Sequence, residues 1–237
     1  MTDLHTHILP GMDDGAKTVE DSLAMLRMEY DQGVDTVVLT PHFYRDRENP
    51  KHFLHRRRES AMVLARRVLE LPEQERSRLP QMLLGAEVAW WPGLGDWEEL
   101  PELCIGETKN MLIELPFAPW NDRMIHQLYE FFGGTGITPV IAHLERYLKI
   151  QRPEHIREVL ELGVPVQVSA EILLHPMVRG GAMKLLRQNQ AHLVASDCHD
   201  CTKRPPNVAA AMAVLRKKLG ADSVNQLIRR GDELAGG

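Results

Sequence analysis

Short apolar runs alternate with longer amphipathic runs along the whole chain. The strand-like runs fall at residues 2–7, 36–40, 82–88, 111–115, 138–142, 164–168 and 192–196. Each is too short for a buried helix and is bounded by turn-forming or polar residues. Helical spacing predicts a helix from Thr18, an N-cap with Asp21 three residues on, to a stop at Gly33. Its apolar face is Val19, Leu23, Leu26 and Tyr30. Further helices are predicted over 51–71, 122–132, 153–162, 176–188, 207–219 and 221–230, with Pro153 suited to a first helical turn. A Trp/Pro/Gly-rich loop and a short helix follow residue 88. No repeat, low-complexity segment or interdomain linker interrupts this alternation, which predicts a single domain over 1–237.

Seven strands alternating with helices imply an α/β fold with a mostly parallel sheet. A closed barrel and an open doubly wound sheet both place ligands at strand C-termini. The barrel is favoured here because polar residues from six of the seven strand ends must meet in one place. No glycine-rich phosphate loop follows the first strand, which excludes the usual dinucleotide and Walker readings.

Composition narrows the function without naming it. With 237 residues, 43% hydrophobic and 26% charged, the chain can build a substantial core. A net charge of −5 argues against a general nucleic-acid binder. The one strongly basic stretch, 51–67, contains His55-Arg56-Arg57-Arg58 and Arg66-Arg67 and is read as a solvated helix face, given its nearby glutamates. No apolar run approaches ~20 residues, so no membrane insertion is expected. Acidic and histidine residues at positions 3–7 do not fit a signal peptide. Cys104, Cys198 and Cys201 make no disulfide framework, and a reducing cytoplasm is the expected location.

The chemistry begins at Asp3-Leu4-His5-Thr6-His7. Residues i and i+2 on a strand point to the same side, so His5 and His7 can address one metal ion. Asp197 and His199 repeat the device at the last strand. Asp14, His42, Glu87, Glu114 and His143 also fall at or just after strand ends. Nine imidazole and carboxylate groups exceed the needs of one ion and suit a cluster sharing bridging carboxylates. Mixed N/O donors without thiolate favour manganese, iron or zinc. His52, His55, His126, His155, His175 and His192 fall on helices, in loops or at a strand start and are not counted as ligands. Cys198-x-x-Cys201 is a lone pair, short of a structural zinc site, and no Cys-x5-Arg phosphate loop surrounds any cysteine.

This pattern resembles the polymerase and histidinol phosphatase (PHP) superfamily, through His5-Thr6-His7, Pro41-His42, Gly85-Ala86-Glu87, Glu114, His143 and Asp197-Cys198-His199. Within it, the stretches from His5 to Ala16, from Ala142 to Tyr147 and Ser196-Asp197-Cys198-His199 resemble the bacterial CpsB/YwqE-type tyrosine-protein phosphatases. The resemblance runs over nearly the whole chain. The extra sulfur of Asp200-Cys201 is a small departure that leaves the ligand spacing intact. It implies a distorted (β/α)7 TIM-like barrel and two or three divalent ions, manganese first, with iron or zinc as alternatives. It also implies three ion sites: His5, His7, Glu87 and Asp197; Glu87, Glu114 and His143; and Asp14, His42 and His199. The implied substrate is a phosphotyrosine protein, namely the tail of a bacterial tyrosine autokinase that controls capsule or exopolysaccharide export.

Phosphomonoester hydrolysis is among the slowest uncatalysed reactions, because the dianion repels nucleophiles. Clustered divalent cations offset that charge and generate hydroxide from water for in-line attack. Arg146 and Arg204 are the candidates for binding the phosphoryl oxygens bidentately. Tyr44 and Arg45 are candidates for the entrance. A phenolate leaving group needs less protonation than an alkoxide, so the lack of an evident general acid is tolerable. The alternatives are a PHP-type phosphoesterase acting on a small molecule such as histidinol phosphate, an amidohydrolase, and a non-catalytic metal-stabilised module that binds a kinase. The amidohydrolase commonly needs a bridging lysine on strand 4, where Glu114 stands.

Overall fold

The computed structural model describes residues 1–237. In chain order the elements are β1 (Thr2–Thr6), α1 (Val19–Asp31), β2 (Thr36–Leu39), β3 (His42–Phe43), α2 (Pro50–Leu69), α3 (Glu73–Arg76), β4 (Gln81–Leu84) and β5 (Glu87–Ala89). They continue with β6 (Asn110–Glu114), α4 (Asp122–Thr135), β7 (Thr138–Ile141), α5 (Pro153–Glu161), β8 (Gln167–Ser169), α6 (Ala170–Leu174), α7 (Gly180–Arg187), β9 (Leu193–Ala195), α8 (Val208–Leu219) and α9 (Ala221–Leu234). No helix is long and apolar enough to cross a membrane.

Every strand pairing is parallel. The strands form a sheet ordered β1-β2-β4, a second ordered β3-β5-β6-β7 and the pair β8-β9. Single parallel bridges, Thr6 to Cys198 and Ile141 to Val166, tie these sheets to one another. The expected seven continuous strands are therefore nine segments in three sheets. Two strand positions break at the same level. One ends at Leu39, close to the expected end at Thr40, and resumes as β3 beyond Pro41, which has no N–H to give the ladder. The other breaks at Gly85-Ala86, where a side chain on Gly85 would crowd Val38 at 3.0 Å and Thr40 at 3.3 Å. Hydrogen bonds cross both breaks, Gly85 N–H to the Leu39 carbonyl at 3.0 Å and Glu87 N–H to the Pro41 carbonyl at 3.1 Å. The chain thus changes direction without losing its partner, and His42 and Glu87 emerge in register as the first residues of β3 and β5.

The helices follow their local chemistry. Thr18 caps α1 as expected: its hydroxyl accepts from Asp21 N–H at 3.1 Å, and the Asp21 carboxylate accepts from Thr18 N–H at 2.9 Å. Asn49 caps α2 through its side-chain oxygen alone, which accepts from His52 N–H at 2.9 Å. The sheets pack against helices through one large apolar cluster. A second, separate cluster gathers Leu4, Val38, Leu112, Val140, Ala142 and Leu193 from five strands and their ends, with Leu234 of α9 and Ile105. Period-two alternation sets a polar layer above these apolar positions. Glu114 lies two residues after Leu112, His42 four after Val38 and Asp197 four after Leu193.

Candidate metal centre

The loop after β1 folds back on the strand that precedes it. Ala16 N–H donates to the His7 carbonyl at 2.9 Å. Gly15 passes so close that an added Cβ would stand 2.1 Å from the His7 carbonyl oxygen, so only glycine fits. This fold-back delivers Asp13 and Asp14 to the end of β1. On the opposite side, Asp197 N–H donates to the His5 carbonyl and His7 N–H to the Cys198 carbonyl, both at 2.9 Å. His143 and Asp197 follow β7 and β9 with φ of 31° and 55°. Left-handed backbone is uncommon for residues with a side chain and costs energy, and here it occurs at two strand ends facing one site.

All nine predicted ligands meet there. His5 Nε2 lies 3.2 Å from Glu87 Oε2 and 3.4 Å from Asp197 Oδ1, and His7 Nε2 lies 3.4 Å from each. His143 Nε2 lies 2.9 Å from Glu87 Oε1 and 3.6 Å from Glu114 Oε1. His42 Nδ1 approaches Glu87 Oε2 to 2.7 Å, while its Nε2 faces Asp14 Oδ1 at 3.6 Å. His199 Nε2 faces the same Asp14 oxygen at 3.5 Å. Donor atoms within 4.8 Å of one another form three overlapping sets: His5, His7 and Glu87; His42, Glu87 and Glu114; and His7, Asp14, His42 and His199. His7, His42 and Glu87 thus each belong to two of the sets, while His143 and Asp197 lie against Glu87, His5 and His7 outside them. Asp14, 67% exposed, marks the mouth.

The hydrogen bonds behind the ring orient it. His5 Nδ1 pairs with Gln167 Oε1 at 3.2 Å, His7 Nδ1 with Asp13 Oδ2 at 2.7 Å and His199 Nδ1 with the Asp197 carbonyl at 2.9 Å. A proton on Nδ1 in each case leaves the Nε2 lone pair aimed inward, as metal-bound histidines require. The Nε2 atoms of His5 and His7 face each other at 3.1 Å, where a single proton is the most they can share in a hydrogen bond. His143 Nδ1 and His199 Nε2 are buried without a hydrogen bond of their own. Buried polar atoms of this kind are costly unless something satisfies them. The donor set fits divalent cations.

The charges are mutually dependent. Burial alone would raise Glu87 and Asp197, yet His5 and other neighbours hold both carboxyls well below the ordinary range. Burial would lower His7, but Asp13, Asp197 and Glu87 raise it well above the usual imidazole value. Burial and the neighbouring Glu87 charge push Glu114 up to about 7. Burial brings His143 down to about 4, and burial together with His7 brings His199 to about 4.

Arg146 and Arg204 both reach the centre. Their Nη2 atoms converge on Asp197 Oδ2, that of Arg204 at 2.8 Å and that of Arg146 in close contact. Asp197 therefore turns one oxygen to the histidines and the other to the guanidinium pair. Two residues absent from the sequence-based set orient the ligands: Asp13, which also accepts from His42 N–H at 2.9 Å, and Gln167, which also accepts from His143 N–H at 2.9 Å. Asp13 sits beside Asp14 in sequence, and only the fold-back separates their roles. Gln167 did leave a signal, as the one polar side chain in Val164-Pro165-Val166-Gln167-Val168. Tyr44 donates to Glu114 at 3.4 Å, and Arg45 stands over Trp91 and Trp97.

The remaining histidines lie outside the three sets. His52 pairs with Glu48, His126 with Glu130 and His155 with Asp122. All three cysteines are free. Cys198 is buried with its thiol directed at Glu29, and burial with the Glu29 charge raises it well above the usual thiol range. It is a poor nucleophile.

Comparison with known proteins agrees with this geometry. The family model for capsular polysaccharide synthesis, CpsB/CapC, matches residues 1–233, and the chain belongs to that family. The tyrosine-protein phosphatase CpsB of Streptococcus agalactiae serotype III is 30% identical over 239 residues, covering 96% of this chain and 94% of the relative. The tyrosine-protein phosphatase YwqE of Bacillus subtilis is 32% identical over 232 residues, covering 94% and 86%. A solved structure from work on YwqE of Bacillus subtilis and CpsB of Streptococcus pneumoniae, described as metal-dependent tyrosine phosphatases, superposes with a TM-score of 0.85. It is 27% identical and covers 100% of this chain and 94% of the other. An organophosphorus hydrolase variant from Deinococcus radiodurans, 15% identical with a TM-score of 0.57 over 100% and 92%, shares the fold alone.

Proposed function

We propose that this member of the CpsB/CapC family is a metal-dependent protein-tyrosine phosphatase. The observation that carries the reading is the meeting of nine imidazole and carboxylate donors at the strand ends, with two guanidinium groups on Asp197. The relatives named as tyrosine-protein phosphatases support it.

Two or three divalent ions, manganese first and iron or zinc as alternatives, would be held by three groups of residues. His5, His7, Glu87 and Asp197 serve one. Glu87, Glu114 and His143 serve a second, with His42 at hand. Asp14, His42 and His199 serve the third. When bound, divalent cations neutralise phosphoryl oxygens and lower the pKa of water so that a nucleophile forms at neutral pH. Gln167 and Asp13 hold the imidazoles of His5 and His7 in the tautomer that presents Nε2. Arg146 and Arg204, already gathered by Asp197, swing their free N–H groups to the equatorial oxygens of the phosphoryl group and stabilise the charge that builds there. The phenolate departs without a strong proton donor.

The same reading takes 1–237 as one distorted (β/α)7 barrel. The two interrupted strands count as one position each, and the two single bridges carry the order from β7 to β8 and from β9 back to β1. The substrate is then a phosphotyrosine protein, a bacterial tyrosine autokinase tail in capsule or exopolysaccharide synthesis, met in a reducing cytoplasm that suits three free cysteines.

The test is phosphate release from a phosphotyrosine peptide and from histidinol phosphate, side by side, after chelation and again with manganese. Manganese-restored turnover of the peptide is expected. Preference for histidinol phosphate would overturn the substrate and keep the centre.

A further inference from the structure

Phe117 is 47% exposed, although a phenyl ring gains from burial. It lies three residues beyond Glu114, in a loop that is tied down on both sides. Trp120 donates its indole N–H to the Pro116 carbonyl at 2.8 Å, and the Gln151 side chain donates to the Ala118 carbonyl at 3.0 Å. The Phe117 ring is stacked on His143, with centroids 6.4 Å apart and planes at 21°, and tilts against Tyr147 at 5.1 Å. Tyr147 is itself fixed, buried with its hydroxyl donating to the Leu115 carbonyl at 2.6 Å. Phe117 is thus open to solvent yet held in place.

Its neighbour defines what it faces. His143 Nε2 lies 3.6 Å from Glu114, and Tyr44 approaches the same carboxylate from another element at 3.4 Å. Tyr44 and Phe117 therefore border the Glu114–His143 edge of the centre. Of the other exposed apolar side chains, Met62, Val63 and Leu69 lie on α2, Tyr129 and Phe132 on α4, and Ile150, Met177 and Val178 in turns; none of these is stacked on a donor of the centre as Phe117 is on His143.

We infer that Phe117 is the platform on which the substrate's aromatic ring rests, and that it selects aryl over alkyl phosphates. The inference rests on the phosphotyrosine reading above. A ring whose phosphoryl group sits at the centre projects outward past His143, where Phe117 offers its exposed surface. Aromatic rings attract each other in offset or edge-on arrangements with centroids 4.5–7 Å apart. A platform already fixed in place loses little entropy on binding. Phosphoserine and phosphothreonine carry no π surface and gain nothing from it.

The experiment compares steady-state constants on a phosphotyrosine peptide with competitive inhibition by inorganic phosphate, alongside metal content. In Phe117→Ala, KM for the peptide is expected to rise about three- to tenfold while kcat stays within about twofold. The inhibition constant of inorganic phosphate and the metal content are expected to stay at wild-type values, since neither involves the ring. Phe117→Tyr restores the wild-type KM, whereas Phe117→Leu, which keeps apolar packing on Tyr147, does not. An unchanged KM in Phe117→Ala, a matching rise in the phosphate inhibition constant, or full rescue by leucine overturns the inference alone. A wild-type protein that hydrolyses another phosphate ester and not the peptide overturns the phosphatase reading, and the platform with it.

Discussion

Arg56 on α2 reaches Glu48 at 2.6 Å and the Met12 carbonyl at 3.0 Å, whereas His5 and His7 at the end of β1 reach each other. Both regions are dense in ionisable side chains. On α2 most of the charged side chains find a complementary oxygen. Arg57, buried, donates to the carbonyls of Gly85 at 2.7 Å and Glu102 at 2.8 Å. Arg58 pairs with Glu102 and Arg67 with Glu20, both at 3.6 Å. At the strand ends, imidazole lone pairs and carboxylates crowd together, and buried atoms are left over. Charge density therefore does not distinguish a site from a surface. The convergence of several imidazole and carboxylate donor atoms within 4.8 Å of one another does. The two regions are also connected. Arg56 and Ser60 hold the loop that carries Asp13 and Asp14, and Arg57 holds Gly85 ahead of Glu87. The basic helix serves as a brace for the centre.

The largest effect should follow from breaking the centre itself. Asp197→Ala removes a carboxylate shared by the histidines and both arginines, and His199→Ala removes a donor. Each should cost at least about 10²- to 10³-fold in kcat/KM. Cys198→Ser, between them in sequence, should retain most turnover. A dead Cys198→Ser protein with normal metal content would restore thiol chemistry to consideration. Next, Gln167→Leu removes the partner of His5 Nδ1 without touching a ligand and should weaken metal affinity about 10- to 100-fold, as read by competition with a chelator. Wild-type affinity would show that the imidazole is oriented by other contacts.

Helix α2 should respond in stability more than in chemistry. Arg57→Ala strands the buried Gly85 carbonyl and removes the bond to the half-buried Glu102 carbonyl, and should cost about 2 kcal/mol in urea unfolding. Arg58→Ala, whose partner is a solvent-exposed glutamate, should cost less than about 0.5 kcal/mol. Equal losses would erase the contrast between the buried and the solvated arginine. Glu145 supplies a smaller test, beside the centre but directed at Ser169 N–H at 3.2 Å. Burial pushes its carboxyl up to about 7 from an ordinary 4.5. The folded chain then keeps a proton that the unfolded chain has lost, so this residue's contribution to stability falls as pH rises from about 4.5 to about 7 and is flat above. Glu145→Gln should therefore gain on the order of 2 kcal/mol over wild type at pH 8 and show no such gain at pH 4. The same difference at both pH values would mean that ionisation is not its cause.

Much of this was legible in the sequence because it depends on neighbours along the chain. Apolar alternation located every sheet position to within a few residues, and the Thr18–Asp21 capping box marked the start of α1. The nine donors were readable because they fall at or after apolar runs, where a parallel sheet presents its C-terminal edge. The misses have local causes that alternation does not register. Gly85 splits the expected run 82–88 by its close approach to Val38 and Thr40, and β3 resumes the 36–40 position beyond the stop expected at Pro41-His42. The strand expected at 164–168 runs from Gln167 to Ser169 and gives way directly to α6, whose Ala170, Ile172, Leu173 and Leu174 are too short a run for helical periodicity to register.

The sequence by itself determined the alternation of elements, the donor types and the side of the sheet on which they lie, because side-chain direction on a strand is a property of adjacent residues. Tertiary structure alone decided which Asp of Asp13-Asp14 orients His7, that Gln167 orients His5, and that Arg146 and Arg204 meet on one oxygen of Asp197. Those contacts join residues as far apart as 162 positions. Their geometry is set by how the strand ends converge in space, which no local pattern records.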